Sequence, residues 1–201
     1  MSRKYLIIGG SPCSGKSTVA EQIAQEFGAL YYKVDDDLGR YLQAAAEKGC
    51  PACKACMSMS PDEIWMREPT VQCSEEFSIY DEISEFVFAH LQSLDAELII
   101  TEGAAYTPQV IGRYGIRDYI TIIPTPDFQI PHYKEREWVR DVLRGCADPE
   151  QAFRNWMQRD ILFAQQVREE CEARGIPCIV NDGTVSPDEM FRRVTALFRL
   201  G

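Results

Sequence analysis

The run Leu6-Ile7-Ile8-Gly9-Gly10-Ser11-Pro12-Cys13-Ser14-Gly15-Lys16-Ser17-Thr18 constrains this chain more than any other stretch. Leu6 to Ile8 read as a short buried strand, and Val19, Ile23, Ala24 and Phe27 recur at the spacing of one helix face. Between them, Gly10, Gly15, Lys16 and Ser17 satisfy G-x-x-x-x-G-K-[ST] in a strand–loop–helix setting. The residue types answer a chemical need. A phosphate chain is gripped by several backbone N–H groups pointing inward, and small residues let the backbone come close. The helix opening near Gly15 adds the positive end of its dipole. The expected cradle is Gly10, Ser11, Cys13, Ser14, Gly15, Lys16, Ser17 and Thr18. Lys16 would reach the β- and γ-phosphates of ATP, and the Ser17 hydroxyl would be a Mg2+ ligand. The competing reading, a chance match in an ordinary strand–turn–helix, leaves the correctness of both flanks unexplained.

The 201 residues fit one α/β domain, and a composition of 45% hydrophobic and 26% charged residues is that of an ordinary globular chain. A formal net charge of −10 argues against nucleic acid as a partner, since neutralising phosphates takes a basic surface. Met1-Ser2-Arg3-Lys4 leads straight into the first strand, leaving no room for a signal peptide. No apolar run approaches transmembrane length, so no membrane partner and a cytoplasmic location are expected. In that setting the eight cysteines read as free thiols or metal ligands rather than disulfides.

Further strands are expected over residues 29–34, 98–101, 119–123 and 175–180. Asp35-Asp36-Asp37 ends the second, and a helix with Leu38, Tyr41 and Leu42 follows. Residues 49–60 read as a break. Ser60-Pro61-Asp62-Glu63 looks like a capping box opening a short helix through Trp65. Phe77, Tyr80, Ile83, Val87, Leu91 and Leu94 mark a long helix from about 70 to 94. Residues 126–173 read as two helices broken around 145–149, and Ser186-Pro187-Asp188-Glu189 opens the last helix. Strands alternating with helices imply a parallel sheet covered on both faces, with ligands beyond the carboxyl ends of the strands. That edge would gather the phosphate loop, Asp35, Glu102 and the Asn181 turn.

The segment from Gly10 to Asp37 resembles small-molecule P-loop kinases of the nucleoside monophosphate kinase and shikimate kinase type. The resemblance implies a three-layer α/β P-loop NTPase fold with a five-stranded parallel sheet. It also implies one kinase domain over 1–201, with an acceptor-binding insertion over 38–95 and a lid over 126–160. Counted from Gly15-Lys16-Ser17-Thr18, Asp35 falls where shikimate kinases carry a substrate-contacting aspartate. Chloramphenicol phosphotransferases and polynucleotide 5′-kinases keep a catalytic one at a similar point. Lys33 departs from the shikimate kinase pattern, which has an acid there. Helix N-capping is the rival reading of the Asp run. Glu102-Gly103 matches the Asp-Gly or Walker-B position, and a carboxylate buried at a strand end calls for a cation. The resemblance also places lid arginines among Arg136, Arg140, Arg144, Arg154 and Arg159, with Arg136 and Arg140 taken as catalytic. It places an adenine-contacting loop at Asn181, Asp182 and Gly183. Arg67 is a candidate for holding an anionic acceptor.

Cys50-x-x-Cys53-x-x-Cys56, with Cys73 further on, offers four thiols for a structural Zn2+. An Fe–S cluster uses similar spacing, and free thiols are the third reading. The function these features jointly predict is ATP-dependent transfer of a γ-phosphate to a small hydroxyl- or phosphate-bearing metabolite, the acceptor being the expected partner. The alternatives are a nucleotide-dependent switch or metal/redox sensor ATPase, and a 5′-end polynucleotide kinase. Oligomeric state is left open.

Overall fold

The computed structural model describes residues 4–200. Residues 1–3, read above as leading into the first strand, lie outside the described residues, as does residue 201. The strands are β1 (Lys4–Gly9), β2 (Leu30–Lys33), β3 (Leu98–Glu102), β4 (Tyr119–Pro124) and β5 (Cys178–Asn181). They form a five-stranded sheet in the order β2-β3-β1-β4-β5, and every neighbouring pair is parallel. β1 is central, with Ile7 registered against both Thr101 and Tyr119.

Alternation along β1 builds three layers. Side chains on a strand point to opposite faces in turn. Leu6 and Ile8 therefore pack with Ile100, Ile120 and Ile122 under α1 (Lys16–Phe27) and α10 (Pro187–Phe198), through Val19, Ile23, Met190, Val194 and Phe198. Ile7, Ile99 and Ile123 face the other way. There they meet α2 (Leu38–Lys48), α5 (Pro69–Ser93), α6 (Pro108–Tyr114) and α9 (Pro149–Arg174), through Tyr41, Ile83, Val87, Val110, Phe163 and Val167. α4 (Pro61–Trp65) opens with the expected capping box, Ser60 and Glu63 each satisfying the other's backbone N–H.

Two segments depart from the sequence reading. Residues 49–60 are not a break, because α3 (Pro51–Ser58) forms there with proline at its start. Its first free N–H groups are satisfied from a distance: the Glu82 carboxylate on α5 accepts from Ala52 N at 2.9 Å and Cys53 N at 2.8 Å. The helix undoes the expected zinc site. Cys50 is the extended residue before the helix, while Cys53 and Cys56 lie within it, about 60° apart around its axis. Cys53 and Cys73 are buried in the core while Cys50 and Cys56 stay partly exposed. No group of three or more His, Cys, Asp or Glu able to hold a metal occurs among the described residues.

The second departure is in the lid segment. It is divided into α7 (Pro126–Lys134), α8 (Glu137–Leu143) and α9 rather than two helices. Arg136 is the extended residue before α8 and Arg144 the residue after it, so Arg136, Arg140 and Arg144 do not share a continuous helix face. A cluster of Tyr133, Val139, Leu143, Ala152, Trp156 and Met157 ties these three helices together.

Replacing Glu82 by Ala removes both acceptors at the α3 terminus and is expected to cost about 1–2 kcal/mol in urea unfolding, with α3 amides exchanging fastest. An unchanged midpoint would contradict the capping role.

Candidate functional site

The loop after β1 is shaped by close backbone approach. Gly10 has φ +112°, and a Cβ there would lie 2.1 Å from the Ile122 carbonyl oxygen. Gly15 precedes α1 at φ 91° with no side-chain cap, so the first N–H groups of α1 have no side chain to satisfy them. Lys16, only 5% exposed, folds back into the loop. Its ammonium donates to the Ser11 carbonyl at 2.7 Å and to Ser14 Oγ at 3.4 Å. Burial pushes the Lys16 pKa down, and the nearby charges of Glu102 and Asp35 pull it back up.

Two side chains brace the loop. Asn181, at the end of β5, donates through Nδ2 to the Ser14 carbonyl at 3.0 Å and accepts from Gly183 N at 3.1 Å. Ser11 Oγ donates to the Asp160 carbonyl at 3.3 Å. Asp182 turns to its own loop, taking the Thr184 N–H at 2.9 Å and the Thr184 hydroxyl at 2.6 Å. The structure thus sets Asn181 behind the loop and gives Asp182 a local turn contact.

Beside the loop, Ser17 Oγ donates to Glu102 Oε1 at 2.9 Å, and the Tyr31 hydroxyl reaches the same oxygen at 3.0 Å. A hydroxyl and a carboxylate oxygen held this close are hard donors of the kind Mg2+ prefers, so these residues fit that ion. Asp35 is the second residue of the 3-10 turn Val34–Asp37 that follows β2. Its carboxylate is open to solvent yet walled in by the cleft, and a Cβ on Gly103 would come within 3.4 Å of its Oδ1. Desolvation by the surrounding cleft raises its pKa, Lys16 offsets part of the rise, and Glu102 adds to it.

These groups line a cleft of about 540 Å³ together with Lys33, Glu76, Arg136 and Arg159. Arg136 Nη2 lies 3.5 Å from Cys13 Sγ, and its guanidinium sits 5.1 Å and 5.8 Å from the ring centres of Tyr133 and Trp138. Among the described residues no carboxylate pairs with it. Arg159 differs. Its Nη1 is 2.6 Å from Glu76 Oε2, and its Nη2 and Nε are 2.7 Å and 2.9 Å from Asp160 Oδ1. Burial opposes the charge of Arg159, but Asp160 and Glu76 outweigh it and hold the pKa above the usual range.

Other sequence candidates lie elsewhere. Arg140 lines a separate groove of about 710 Å³ with Arg144 and Arg154. Arg67 pairs with Glu75 at 2.5 Å and does not line the cleft. The larger hollow between α5 and α9, about 780 Å³, contains no basic side chain and no part of the phosphate loop. Sequence reasoning missed Glu76, Asp160 and Tyr31. A signal was available for two of them: Glu76 and Asp160 interrupt the apolar stripes of α5 and α9, where an acid is costly unless paired.

No family profile and no curated protein matches the sequence. The fold does have likenesses among solved structures. TT1252 from Thermus thermophilus is 15% identical with a TM-score of 0.52, covering 98% of each chain. Shikimate kinase from Acinetobacter baumannii, in complex with shikimate, is 13% identical with a TM-score of 0.51, covering 98% of this chain and 93% of that one. At such identities the likeness is one of fold, and that fold is P-loop kinase-like.

Arg159→Met leaves Glu76 and Asp160 buried without their cation. It is expected to lower stability by about 3–5 kcal/mol at neutral pH, measured by denaturant unfolding. A loss below about 1 kcal/mol would show that the pair is not buried as described.

Proposed function

We propose that this protein is an ATP-dependent phosphotransferase that moves a γ-phosphate onto a small hydroxyl- or phosphate-bearing molecule. The observation that carries the reading is the opening of a lysine-filled phosphate loop and an exposed aspartate into one cleft, beside an arginine with no acidic partner among the described residues. Phosphoryl transfer asks for charge neutralisation and in-line positioning more than for covalent work.

On this reading the loop amides and the Lys16 ammonium take the β- and γ-phosphates, Lys16 exchanging the Ser11 carbonyl for phosphate oxygen. Ser17 and Glu102 would hold Mg2+, which supplies further neutralisation of the phosphates when bound. Arg136, on the lid side, neutralises charge on the transferred group. Asp35 accepts the proton of the acceptor hydroxyl, whose oxygen attacks phosphorus while the bond to ADP breaks. Asn181 and Gly183 keep the loop in shape and place the turn for the base of the nucleotide. Residues 38–95 contribute Trp65, Glu76 and Tyr80 to the cleft as the acceptor side, and residues 126–160 contribute the lid. No described helix is long and apolar enough to cross a membrane.

A nucleotide-consumption screen against metabolite pools tests the reading. Lys16→Ala is expected to abolish turnover. Asp35→Asn should keep nucleotide affinity and lose about 100- to 10,000-fold in kcat, the usual worth of a general base. Transfer at wild-type rates in Asp35→Asn would withdraw the base role.

Activity should also follow the ionisation of Asp35. The base works deprotonated and its pKa is raised, so kcat/KM should climb with pH along an acid limb above the ordinary aspartate range. That limb should disappear in Asp35→Asn. A limb retained in the variant would assign it to another group.

A further inference from the structure

The turn that joins α9 to β5 brings two cysteines together. α9 stops at Gly175, whose φ of 67° is the left-handed conformation glycine favours at a helix end, and Ile176 N returns to the Cys171 carbonyl at 2.9 Å. The Pro177 carbonyl then accepts from Thr121 N on β4 at 2.9 Å, and Cys178 opens β5 in register with that same threonine. Thr121 Oγ1 lies 3.3 Å from Cys171 Sγ and also hydrogen-bonds Cys178, so one hydroxyl serves both sulfurs. The Cys171 thiol donates to the Cys178 sulfur.

The two thiols are not equivalent. Cys171 is fully buried, whereas Cys178 is partly exposed on the edge strand of the sheet. The hydrogen bond from Cys171 favours a negative sulfur at Cys178 and lowers its pKa; burial opposes it, Thr121 and Arg168 add to the lowering, and Glu172 counts against it. The same bond raises the pKa of Cys171, which keeps its proton. Glu170 on α9 and the Tyr119 hydroxyl on β4 complete the ionisable surroundings. Elsewhere burial pushes the thiols of Cys13, Cys53, Cys56, Cys73 and Cys146 up. The thiolate is the nucleophilic form, and a reachable, readily ionised sulfur beside a second thiol is what reversible thiol oxidation requires.

We propose that Cys178 and Cys171 form a peroxide-responsive dithiol site, in which Cys178 is the sulfur oxidised and Cys171 the sulfur that resolves it. The site lies outside the cleft and does not depend on the phosphotransferase reading. The Cys178 thiolate attacks one oxygen of hydrogen peroxide, the O–O bond breaks, and the departing hydroxide takes a proton from solvent to become water. The Cys171 sulfur then attacks the Cys178 sulfenic acid. An S–S bond forms, the S–O bond breaks, and the second hydroxide leaves with the Cys171 proton as water. Two thiols have lost two electrons and one peroxide has become two waters, and a dithiol reductant reverses the link. The disulfide ties the end of α9 to the strand that ends in Asn181.

Trypsin makes the link visible, because Arg174 stands between the two cysteines. Cleavage after Arg168, Arg174 and Arg192 leaves Cys171 in peptide 169–174 and Cys178 in peptide 175–192. The whole protein, reduced and freed of reductant, is exposed to hydrogen peroxide at pH 7, quenched with iodoacetamide and digested. Mass spectrometry should find these two peptides joined, with the joined species lost on treatment with dithiothreitol. Cys178 should be consumed at least about tenfold faster than Cys13, Cys50 or Cys56, the other partly exposed thiols beside it. Without peroxide, its alkylation by iodoacetamide should reach half the limiting rate at a pH below the ordinary cysteine range. Cys171→Ser should leave Cys178 as a sulfenic acid that dimedone captures, and Cys178→Ser should leave the buried Cys171 unoxidised. Absence of the joined peptides in the wild-type protein, consumption of Cys178 no faster than of Cys50 and Cys56, or no dimedone adduct on Cys178 in a folded Cys171→Ser variant would overturn the proposal.

Discussion

One nearly dry ammonium group sets the terms for the rest of the site. Lys16 is 5% exposed, and an isolated charge so placed would be driven to give up its proton. It is kept by the Ser11 carbonyl at 2.7 Å and by the fields of Glu102 and Asp35. The loop around it can hold that shape only because Gly10 passes the β4 backbone where no side chain fits, and because Asn181 and Ser11 tie it to β5 and α9. The ammonium is thus held by one carbonyl and one hydroxyl, partners that a phosphate oxygen outbids.

The parallel sheet makes this economical. Every strand points the same way, so β1, β2, β3 and β5 deliver the loop, Asp35, Glu102 and Asn181 to one edge without long excursions of chain. The other wall is made by helices: α5 supplies Glu76 and α9 supplies Arg159 and Asp160, packed against Trp65 and Trp156. On the proposed reading, one wall receives phosphate. The other already satisfies its own arginine, and this asymmetry separates a donor side from an acceptor side in the proposed reaction.

Most of the first wall could be read in the sequence, because it depends on local spacing. The phosphate loop, the strands and the Ser60 and Ser186 caps are written in consecutive residues, and all of them form. What could not be read depends on distant partners. α3 exists because Glu82, 29 residues beyond Cys53, reaches back to its first turn, and with that helix the cysteine spacing loses its metal-binding meaning. The lid arginines are parted for a related reason: the chain breaks between α7 and α8, leaving Arg136 and Arg159 at the cleft and Arg140, Arg144 and Arg154 in another groove. Glu76 and Asp160 are acids on apolar stripes, and only the fold reveals that they share one guanidinium.

The account turns on whether a triphosphate displaces the loop's own carbonyl from Lys16. A crystal structure with a non-hydrolysable ATP analogue and Mg2+ measures this directly. The account predicts phosphate oxygens within hydrogen-bond distance of Lys16 Nζ, with Ser17 and Glu102 at the metal. A nucleotide bound elsewhere, with Lys16 still on the Ser11 carbonyl, would contradict it.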